Sequence, residues 1–339
     1  MNKSSKHILF FTILPLLIIG LFVISLRYGS VNIPFPELIK ALQGDENVKK
    51  SWLFIIQDFR LPKAISAMIA GAALSVSGLL MQTLFRNPLA GPFVLGISNG
   101  ASLGVALLVL SGGMVFGFHS ESSWGSVLMA ILGSSLVLVM VMLVSTRVKD
   151  NVSLLIIGIM LGSITGAIVT VLQFFSNAES LEAYIIWTFG SLAGIGWLQL
   201  KVLMPLVMIG LFLAYITQKQ LNALLLGYFY AQGLGVHIKR TRTIVIIATC
   251  ILAGSVTAFA GPIAFLGLAV PHIARAILKT SDHKILIPAT ILIGAALLLA
   301  CDITAQLPGS KSILPLNAIT AMIGAPVVIW VVMKAKKLV

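Results

Sequence analysis

The sequence predicts an all-α, polytopic membrane protein that crosses the bilayer about ten times. Three observations support this fold class: the composition, a series of long apolar runs, and the distribution of charge between the loops. Of the 339 residues, 58% are hydrophobic and only 10% are charged, whereas a water-soluble domain carries about 25% charged residues. The composition therefore excludes a cytosolic enzyme, a disordered chain and a nucleic-acid-binding protein, despite the net charge of +13.

The candidate spans are apolar runs of the length that a bilayer requires. A helix that crosses a hydrocarbon core of about 30 Å needs about 20 mostly apolar residues. The runs of this kind are 8–26, 62–84, 93–112, 124–145, 152–175, 197–217, 243–260, 262–279, 285–304 and 315–333. They are too long for barrel strands and show no alternation of polar and apolar residues, so helices are the predicted spanning structure.

The first run also has a feature of a secretory signal, because Lys3 and Lys6 precede it. However, the run is about 19 residues long, and the sequence that ends it, Leu26-Arg27-Tyr28-Gly29, offers no small-x-small cleavage site. We therefore expect this run to be the first span.

The charges of the loops predict the orientation of the chain. With the N-terminus in the cytoplasm, an even number of spans also places the C-terminus there. Fifteen of the 23 basic residues then lie inside, with only two of the ten acidic residues, as the positive-inside rule requires. The inside basic residues are Lys3, Lys6, Arg86, Arg147, Lys149, Lys219, Lys239, Arg240, Arg242, Arg275, Lys279, Lys284, Lys334, Lys336 and Lys337. The high pI is thus explained by topology and requires no nucleic acid.

The spans lack the groups that would let this chain power transport by itself. No Asp, Glu, Lys or Arg lies near the middle of a run, whereas an ion-driven carrier needs such groups at membrane depth. The chain has no Gly-Lys dipeptide and hence no phosphate-binding P-loop. Cys250 and Cys301 lack metal or redox spacing, and we expect no cofactor, metal or catalytic residue. The sequence favours a non-enzymatic subunit of a larger machine, although a passive channel remains open.

The longest inner loop, residues 218–242, is predicted to form two short helices between the sixth and seventh spans. These helices are Leu221–Leu226 and Phe229–Leu234, and glycines at 227, 233 and 235 punctuate them. Their apolar side chains are too few to cross a bilayer and too many for a solvated linker. We expect this segment to dock in a groove of a partner protein; the alternative is an amphipathic segment on the lipid surface.

Several short motifs follow the order and spacing of a known family. They are Arg60-Leu61-Pro62-Lys63, Ala70-Gly71-Ala72-Ala73-Leu74, Gly78, Gln82, Phe85-Arg86-Asn87-Pro88-Leu89-Ala90, Leu95-Gly96-Ile97-Ser98-Asn99-Gly100-Ala101, Gly261-Pro262-Ile263-Ala264-Phe265-Leu266-Gly267-Leu268, Pro271-His272-Ile273-Ala274-Arg275 and Gly324-Ala325-Pro326. On these motifs, the chain resembles a permease subunit of the type II ABC importers for ferric siderophores, haem or cobalamin, the FecCD-type family. The resemblance extends from about residue 52 to 336, over nearly the whole chain.

The resemblance implies a single transmembrane permease domain over residues 1–339, in the inner (cytoplasmic) membrane of a bacterium. Two such subunits, identical or different, would form a dimer with the translocation path at its interface. Two ABC ATPase subunits would bind below and hydrolyse ATP, and an extracytoplasmic substrate-binding protein would dock outside. We expect the cargo to be a ferric siderophore; cobalamin and haem are alternatives, and an ion-coupled secondary carrier is a more distant one.

The resemblance also assigns the 218–242 segment as the loop that couples the permease to the ATPase. The residues expected to carry this contact are Leu221, Leu224, Leu225, Leu226, Gly227, Tyr228, Phe229, Leu234 and Gly235. Tyr228 departs from the family, which has an acidic residue after the glycine. Tyrosines at 228 and 230 could supply amphipathic contacts in its place.

At the cytoplasmic end, the family's gate residues correspond to Asn87 and Leu89 in the turn after the second span. Asn151 and Val152, at the start of the fifth span, correspond to a second gate element, although the family's small hydroxyl residues are absent there. The alternative is that Asn87-Pro88-Leu89 is a structural turn, since proline ends a helix.

At the extracytoplasmic end, the resemblance assigns Arg60 and Lys63 to docking of the binding protein; interfacial anchoring is the alternative. A third basic position of the family is Gln306 here, for which the neighbouring Lys311 could substitute.

Three glycines, Gly158, Gly162 and Gly166, recur at intervals of four along the fifth span. Such a stripe allows another backbone to approach closely. In the family this span lines the pathway, and packing within one subunit is an equal alternative. Residues 181–187 are expected to form a short outer-gate helix. We expect His272 to form structural hydrogen bonds, because no second histidine accompanies it.

Overall fold

A computed structural model describes residues 3–29, 31–45, 48–112, 114–115, 118–119, 123–148, 151–306 and 313–335. Its helices are α1 (Lys3–Arg27), α2 (Phe35–Gln43), α3 (Lys50–Phe54), α4 (Leu61–Leu84), α5 (Ile97–Leu110), α6 (Ser123–Arg147), α7 (Asn151–Phe175), α8 (Ala178–Thr188), α9 (Trp197–Ile216), α10 (Gln218–Leu225), α11 (Tyr228–Gly233), α12 (Ile238–Thr249), α13 (Ser255–Ala260), α14 (Leu266–Leu278), α15 (His283–Ala305) and α16 (Leu316–Ala335). A two-residue hairpin pairs β1 (Met114–Val115) with β2 (Phe118–His119). The architecture is therefore helical, as predicted.

Each of the ten predicted runs contains one of these helices. Within the described residues, seven helices are long and apolar enough to cross a membrane, and three further apolar helices are shorter. The seven are His7–Arg27, Lys50–Leu84, Trp124–Ser145, Val152–Phe175, Trp197–Ile216, Ile238–Ala260 and His283–Ala305. Two of them are continuous through π-helical segments: Ile55–Arg60 joins α3 to α4, and Cys250–Gly254 joins α12 to α13. The composition, the helix lengths and the apolar surface indicate a multi-pass membrane protein.

Two of the three shorter apolar helices, α5 and α14, begin after irregular backbone. α5 follows a 3-10 turn, Pro92–Leu95, and starts at Gly96 with φ +74°. α14 follows Phe265, which has φ +67°, a conformation that is unusual for a residue with a side chain. The backbone N–H of Ala264 donates to Asn317 Oδ1 at 3.0 Å. Such backbone is tolerated at membrane depth only where the protein satisfies its polar groups, as Asn317 does here.

The core of the bundle is α4, which is buried from Pro62 to Leu84 over most of its surface. Close approach depends on glycine: a Cβ atom on Gly78 would collide with the backbone of Gly267 in α14, and one on Gly71 with that of Gly294 in α15. Small residues at such crossings bring helices within van der Waals contact, which drives association where lipid removes the hydrophobic effect. By contrast, α1, α7, α9 and α16 expose many large apolar side chains.

Some predicted bounds differ from the observed ones. The two short helices after the sixth apolar helix are α10 and α11, each shifted towards the N-terminus relative to the prediction. The predicted helix over residues 181–187 is part of α8, which begins earlier because the Asn177 side chain accepts from Ser180 N at its N-terminus. An N-cap hydrogen bond of this kind satisfies one of the unpaired N–H groups of the first turn.

We predict that Gly78→Ala lowers the stability of the folded protein. The added methyl group must displace the backbone of Gly267, and overpacking of this kind costs about 1–3 kcal/mol. The matched control is Gly20→Ala in α1, where a Cβ atom meets nothing within 4 Å and alanine favours the helix. Thermal melting in detergent should show a lower midpoint for Gly78→Ala alone; equal midpoints would contradict the packing.

Candidate functional site

The 218–242 segment lies at one end of the bundle, which we call the inner end; the opposite end is the outer end. Here α10 and α11 are joined at Gly227, which has φ +110°, and α11 ends before Gly235 with φ +83°. These left-handed conformations are readily adopted only by glycine. The two glycines therefore fix the sharp turns that hold α10 and α11 as a compact pair.

The segment has a buried side and an exposed side. Leu221 and Leu224 are buried, and Leu224 packs in a small cluster with Ala231 of α11. In contrast, Phe229 is 90% exposed and Tyr230 is 73% exposed. The predicted contact residues that share this exposure are Leu225, Leu226 and Leu234. The predicted set is thus divided between residues that anchor the segment and residues that present an apolar tip.

Polar contacts hold the segment on the bundle. The Asn222 side chain donates to Asp282 Oδ1 at 2.7 Å and accepts from the backbone N–H of His283 at 2.9 Å. The Tyr228 hydroxyl donates to the carbonyl oxygen of Leu84 at 2.8 Å. A backbone hydrogen bond from Lys284 and the Asn222 amide lower the pKa of Asp282 below its ordinary value, so its carboxylate is charged at neutral pH.

The inner turn, residues 86–89, lies in the connection between the end of α4 at Leu84 and the start of α5 at Ile97. Asn87 Oδ1 accepts from the backbone N–H of Leu89 at 2.9 Å, which is an Asx turn, and the Leu89 side chain is exposed. His272 Nε2 donates to the carbonyl oxygen of Pro88 at 2.8 Å. Arg275 donates to Gln82 Oε1 at 2.6 Å. Thus α14 braces this turn, and His272 forms the structural hydrogen bond that we predicted.

The second candidate gate element lies at the start of α7. Val152 is exposed, whereas the side chain of Asn151 lies outside the described residues. The gate role of Asn151 and Val152 stays a prediction.

The glycine stripe of α7 packs inside the subunit for two of its three members. A Cβ atom on Gly158 would collide with the carbonyl oxygen of Val94, and one on Gly162 with the Asn99 side chain. Asn99 also donates to the Gly162 carbonyl oxygen at 2.8 Å. Gly166 meets nothing within 4 Å. The alternative of internal packing therefore accounts for Gly158 and Gly162.

At the outer end, Arg60 and Lys63 are buried rather than displayed at the surface. The Arg60 guanidinium donates to the carbonyl oxygens of Leu26 and Arg27, at 2.7 and 2.8 Å, and to that of Val31. It therefore closes the C-terminal end of α1, whose last carbonyls lack helical partners.

Lys63 forms a buried ion pair with Asp302 of α15, with Nζ and Oδ1 3.0 Å apart. Gln306 donates to the other carboxylate oxygen of Asp302 at 2.9 Å. At the position where the family has a third basic residue, Gln306 thus binds the carboxylate of this ion pair. Lys311 lies outside the described residues. Asp302, His272 and Arg275, which lie near the ends of apolar helices, each have a partner inside the protein.

These outer residues border a cavity of about 640 Å³ between α4, α15, the start of α16 and the loop that follows α8. The helix α8 beside it has one buried side chain among its residues, Tyr184, which stacks on Trp187 at 6.2 Å between ring centroids. Burial raises the pKa of Tyr184, although a hydrogen bond with Ser102 opposes this effect. The phenol therefore stays protonated and anchors α8 on α5.

The sequence did not identify Asn222, His283 and Thr83 as functional candidates. His283 is buried, and its Nδ1 and Nε2 atoms lie 2.7 Å from Asn222 Oδ1 and 2.8 Å from Thr83 Oγ1. Isolated polar residues at the ends of apolar runs were the available signal. Their partners lie 61 and 200 residues away along the chain, so spacing could not reveal the cluster.

Comparisons with known proteins agree with this architecture. The family model described as the FecCD transport family matches residues 16–334. A vitamin B12 import system permease protein of Klebsiella pneumoniae is 37% identical, covering 95% of this chain and 93% of that protein. The corresponding Escherichia coli protein is 36% identical, with coverage of 87% and 88%. A solved structure described as an inward-facing metal-chelate type ABC transporter has a TM-score of 0.84 at 30% identity, covering 96% of this chain and 99% of that one.

We predict that Lys63→Met destabilises the protein, whereas Lys63→Met combined with Asp302→Leu restores most of the loss. The single change leaves a buried carboxylate without its counter-ion, which costs about 3–5 kcal/mol. An apolar pair of similar volume carries no such penalty. Thermal melting of both variants in detergent tests this; a single variant as stable as the double variant would contradict the buried ion pair.

Proposed function

The chain belongs to the FecCD transport family and is a permease of the ABC importer type, and on this premise we propose how it transports its cargo. One domain, residues 1–339, crosses a bacterial inner membrane ten times with both termini in the cytoplasm. Seven long apolar helices and three shorter ones support ten crossings. The concentration of basic residues at the inner end supports the orientation.

The observation that carries the proposal is the anchored segment with an exposed aromatic tip. Phe229 and Tyr230 project from α11, while Leu221, Leu224 and Asn222 hold the pair of helices to the bundle. An apolar helical tip that is firmly attached fits a groove on a partner, and a rigid attachment can transmit force. We propose that the partner is an ABC ATPase subunit, which hydrolyses the ATP, so that the permease itself is not an enzyme.

The exposed surfaces of the helices support a dimer with the pathway between its two subunits. α7 presents Ile156, Met160, Ser163 and Ile164 on the side away from its internal glycine contacts. We propose that this side, together with Gly166, lines the path between two permease subunits, which are identical or different. An apolar wall binds a bulky chelate weakly, and selectivity then belongs to the extracytoplasmic substrate-binding protein that docks outside.

The gates close the two ends of this path. We propose that Asn87 and Leu89 of the inner turn, with Asn151 and Val152 of α7, form the cytoplasmic gate, and that α8 belongs to the outer gate. Binding of ATP to the partner would rock the subunits, so that one gate opens while the other closes. Docking of the binding protein through Arg60 and Lys63 remains a prediction, since both side chains have internal partners.

For the cargo, we propose a bulky metal chelate. The motifs of the sequence favour a ferric siderophore, with haem as a further alternative. The two relatives named above are vitamin B12 permeases, and this favours cobalamin at least as strongly.

The cargo test uses the permease purified with its ATPase and binding protein and reconstituted into proteoliposomes. Radiolabelled cyanocobalamin and a radiolabelled ferric hydroxamate siderophore are supplied separately, on the side of the binding protein. ATP is supplied on the side of the 218–242 segment. We expect ATP-dependent accumulation of one chelate that a protonophore does not abolish. Accumulation without ATP, or its loss with the protonophore, would contradict the importer.

We predict that Phe229→Ala weakens the association with the ATPase subunit about tenfold or more, the usual effect of removing an aromatic anchor from an interface. The matched control is Phe174→Ala at the outer end of α7, because Phe174 is also highly exposed, at 82%. Co-purification and titration of the ATPase on the tagged permease measure the effect. Equal ATPase binding by the two variants would show that Phe229 is not part of the interface.

A further inference from the structure

We propose that Asn222, His283 and Thr83 form a linkage that carries movement of the 218–242 segment to the inner turn. The inference rests on the proposed function, because it assumes that the segment docks on an ATPase and that the turn is a gate. None of the three side chains is placed where cargo passes. They are positioning residues, which act through Asn87 and Leu89.

The first step of the linkage joins α10 to the start of α15. Asn222 Nδ2 donates to Asp282 Oδ1 at 2.7 Å, and Asn222 Oδ1 accepts from the backbone N–H of His283 at 2.9 Å. This pair of contacts fixes the orientation of the amide, since a flipped amide would place its NH₂ group against an N–H donor. The amide therefore binds α15 through both of its ends.

The second step passes through the imidazole of His283. Nδ1 lies 2.7 Å from Asn222 Oδ1, and that oxygen can only accept, so Nδ1 carries the proton. In the neutral ring Nε2 is then an acceptor, and the Thr83 hydroxyl lies 2.8 Å from it. The one proton of the Thr83 hydroxyl is shared between His283 Nε2 and the carbonyl oxygen of Leu79, which is 2.9 Å away. Contacts of hydrogen-bonding length thus run from Thr83 through His283 and Asn222 to the carboxylate of Asp282.

The third step connects Thr83 to the inner turn through the backbone. Thr83 is in the last turn of α4, and its carbonyl oxygen accepts from Arg86 N at 3.2 Å. The carbonyl oxygen of Gln82 accepts from Asn87 N at 3.1 Å. Arg86 has φ +49°, an uncommon conformation for a residue with a side chain. The end of α4 therefore sets the geometry at which the turn begins.

A second contact makes the attachment rigid. The Tyr228 hydroxyl of α11 donates to the carbonyl oxygen of Leu84, the residue after Thr83. Both helices of the segment thus bind the same turn of α4, one directly and one through His283. On the other side, α14 binds the turn through His272 and Pro88, and it binds α4 through Arg275 and Gln82. Displacement of the segment must either move the turn relative to α14 or break buried hydrogen bonds, which is unfavourable.

The test uses the full complex of permease, ATPase and binding protein in proteoliposomes, with whichever of the two radiolabelled chelates it accumulates. Thr83→Val keeps the shape of the side chain and removes the hydroxyl, and Thr83→Ser restores the hydroxyl. We expect Thr83→Val to lower transport per ATP hydrolysed about fivefold or more, the range of a typical coupling energy, while ATP hydrolysis continues. Thr83→Ser should retain the wild-type ratio.

Asn222→Ala should have the same effect, and it provides the measurement if Thr83→Val fails to assemble. Because both residues belong to one linkage, the double variant should be no worse than the more affected single variant, whereas independent effects would add. Gln220→Ala is the matched control: it removes an amide from the same helix, and among the described residues the Gln220 side-chain oxygen has no hydrogen-bond partner. A wild-type ratio in Thr83→Val and Asn222→Ala would overturn the linkage.

A second readout is independent of the cargo. In a Leu89→Cys background, a membrane-impermeant thiol reagent reports exposure of the inner turn; the native Cys250 and Cys301 are buried. We expect ATP to change the labelling rate in the otherwise wild-type complex and not in Thr83→Val. An unchanged response to ATP in Thr83→Val would overturn the linkage alone. Failure of the unmodified complex to transport with ATP would instead overturn the proposed function.

Discussion

The structure depends on the close packing of α4 against α15. Midway along the pair, Gly71 and Gly294 leave no room for a Cβ atom on either side. In lipid, where apolar side chains gain nothing by leaving their surroundings, this close backbone contact is what drives the two helices together. α4 is buried almost throughout, and it packs equally closely on α14, where Gly78 meets Gly267.

The polar contacts between α4 and α15 lie near the two ends of these helices, away from Gly71 and Gly294. Lys63 pairs with Asp302 at the outer end, and Thr83 contacts His283 at the inner end. Buried polar groups in a membrane protein must find partners within the protein, and antiparallel helices of matched length bring such partners together at both ends. Two polar contacts and one glycine contact thus fix the register of α4 and α15 at three levels.

The sequence predicted the helical class and the positions of the apolar helices, because composition and run length depend on the bilayer alone. It also predicted two short helices near residues 218–242, because glycines mark their ends. It could not predict that Lys63 forms an ion pair with Asp302, 239 residues further along the chain; the docking role of Lys63 came from the family resemblance and stays a prediction. Pairing between distant residues depends on packing, which periodicity does not report. The spacing of four residues that includes Gly158 predicted a helix face without side chains, but it could not identify the segment that packs against this face.

The register of α4 and α15 limits the motions that the bundle can make. Fixed at three levels, the two helices move as one body. α5 and α6 form a second close pair, since Gly100 and Gly133 admit no Cβ atom, and α7 joins it through the hydrogen bond from Asn99 of α5 to the Gly162 carbonyl oxygen. The connection between the two bodies contains the inner turn, the 3-10 turn Pro92–Leu95 and Gly96, which has φ +74°. A relative rotation of the two bodies would change the backbone conformation of this connection. Small rotations of rigid helices would therefore move the inner turn at the inner end of the bundle.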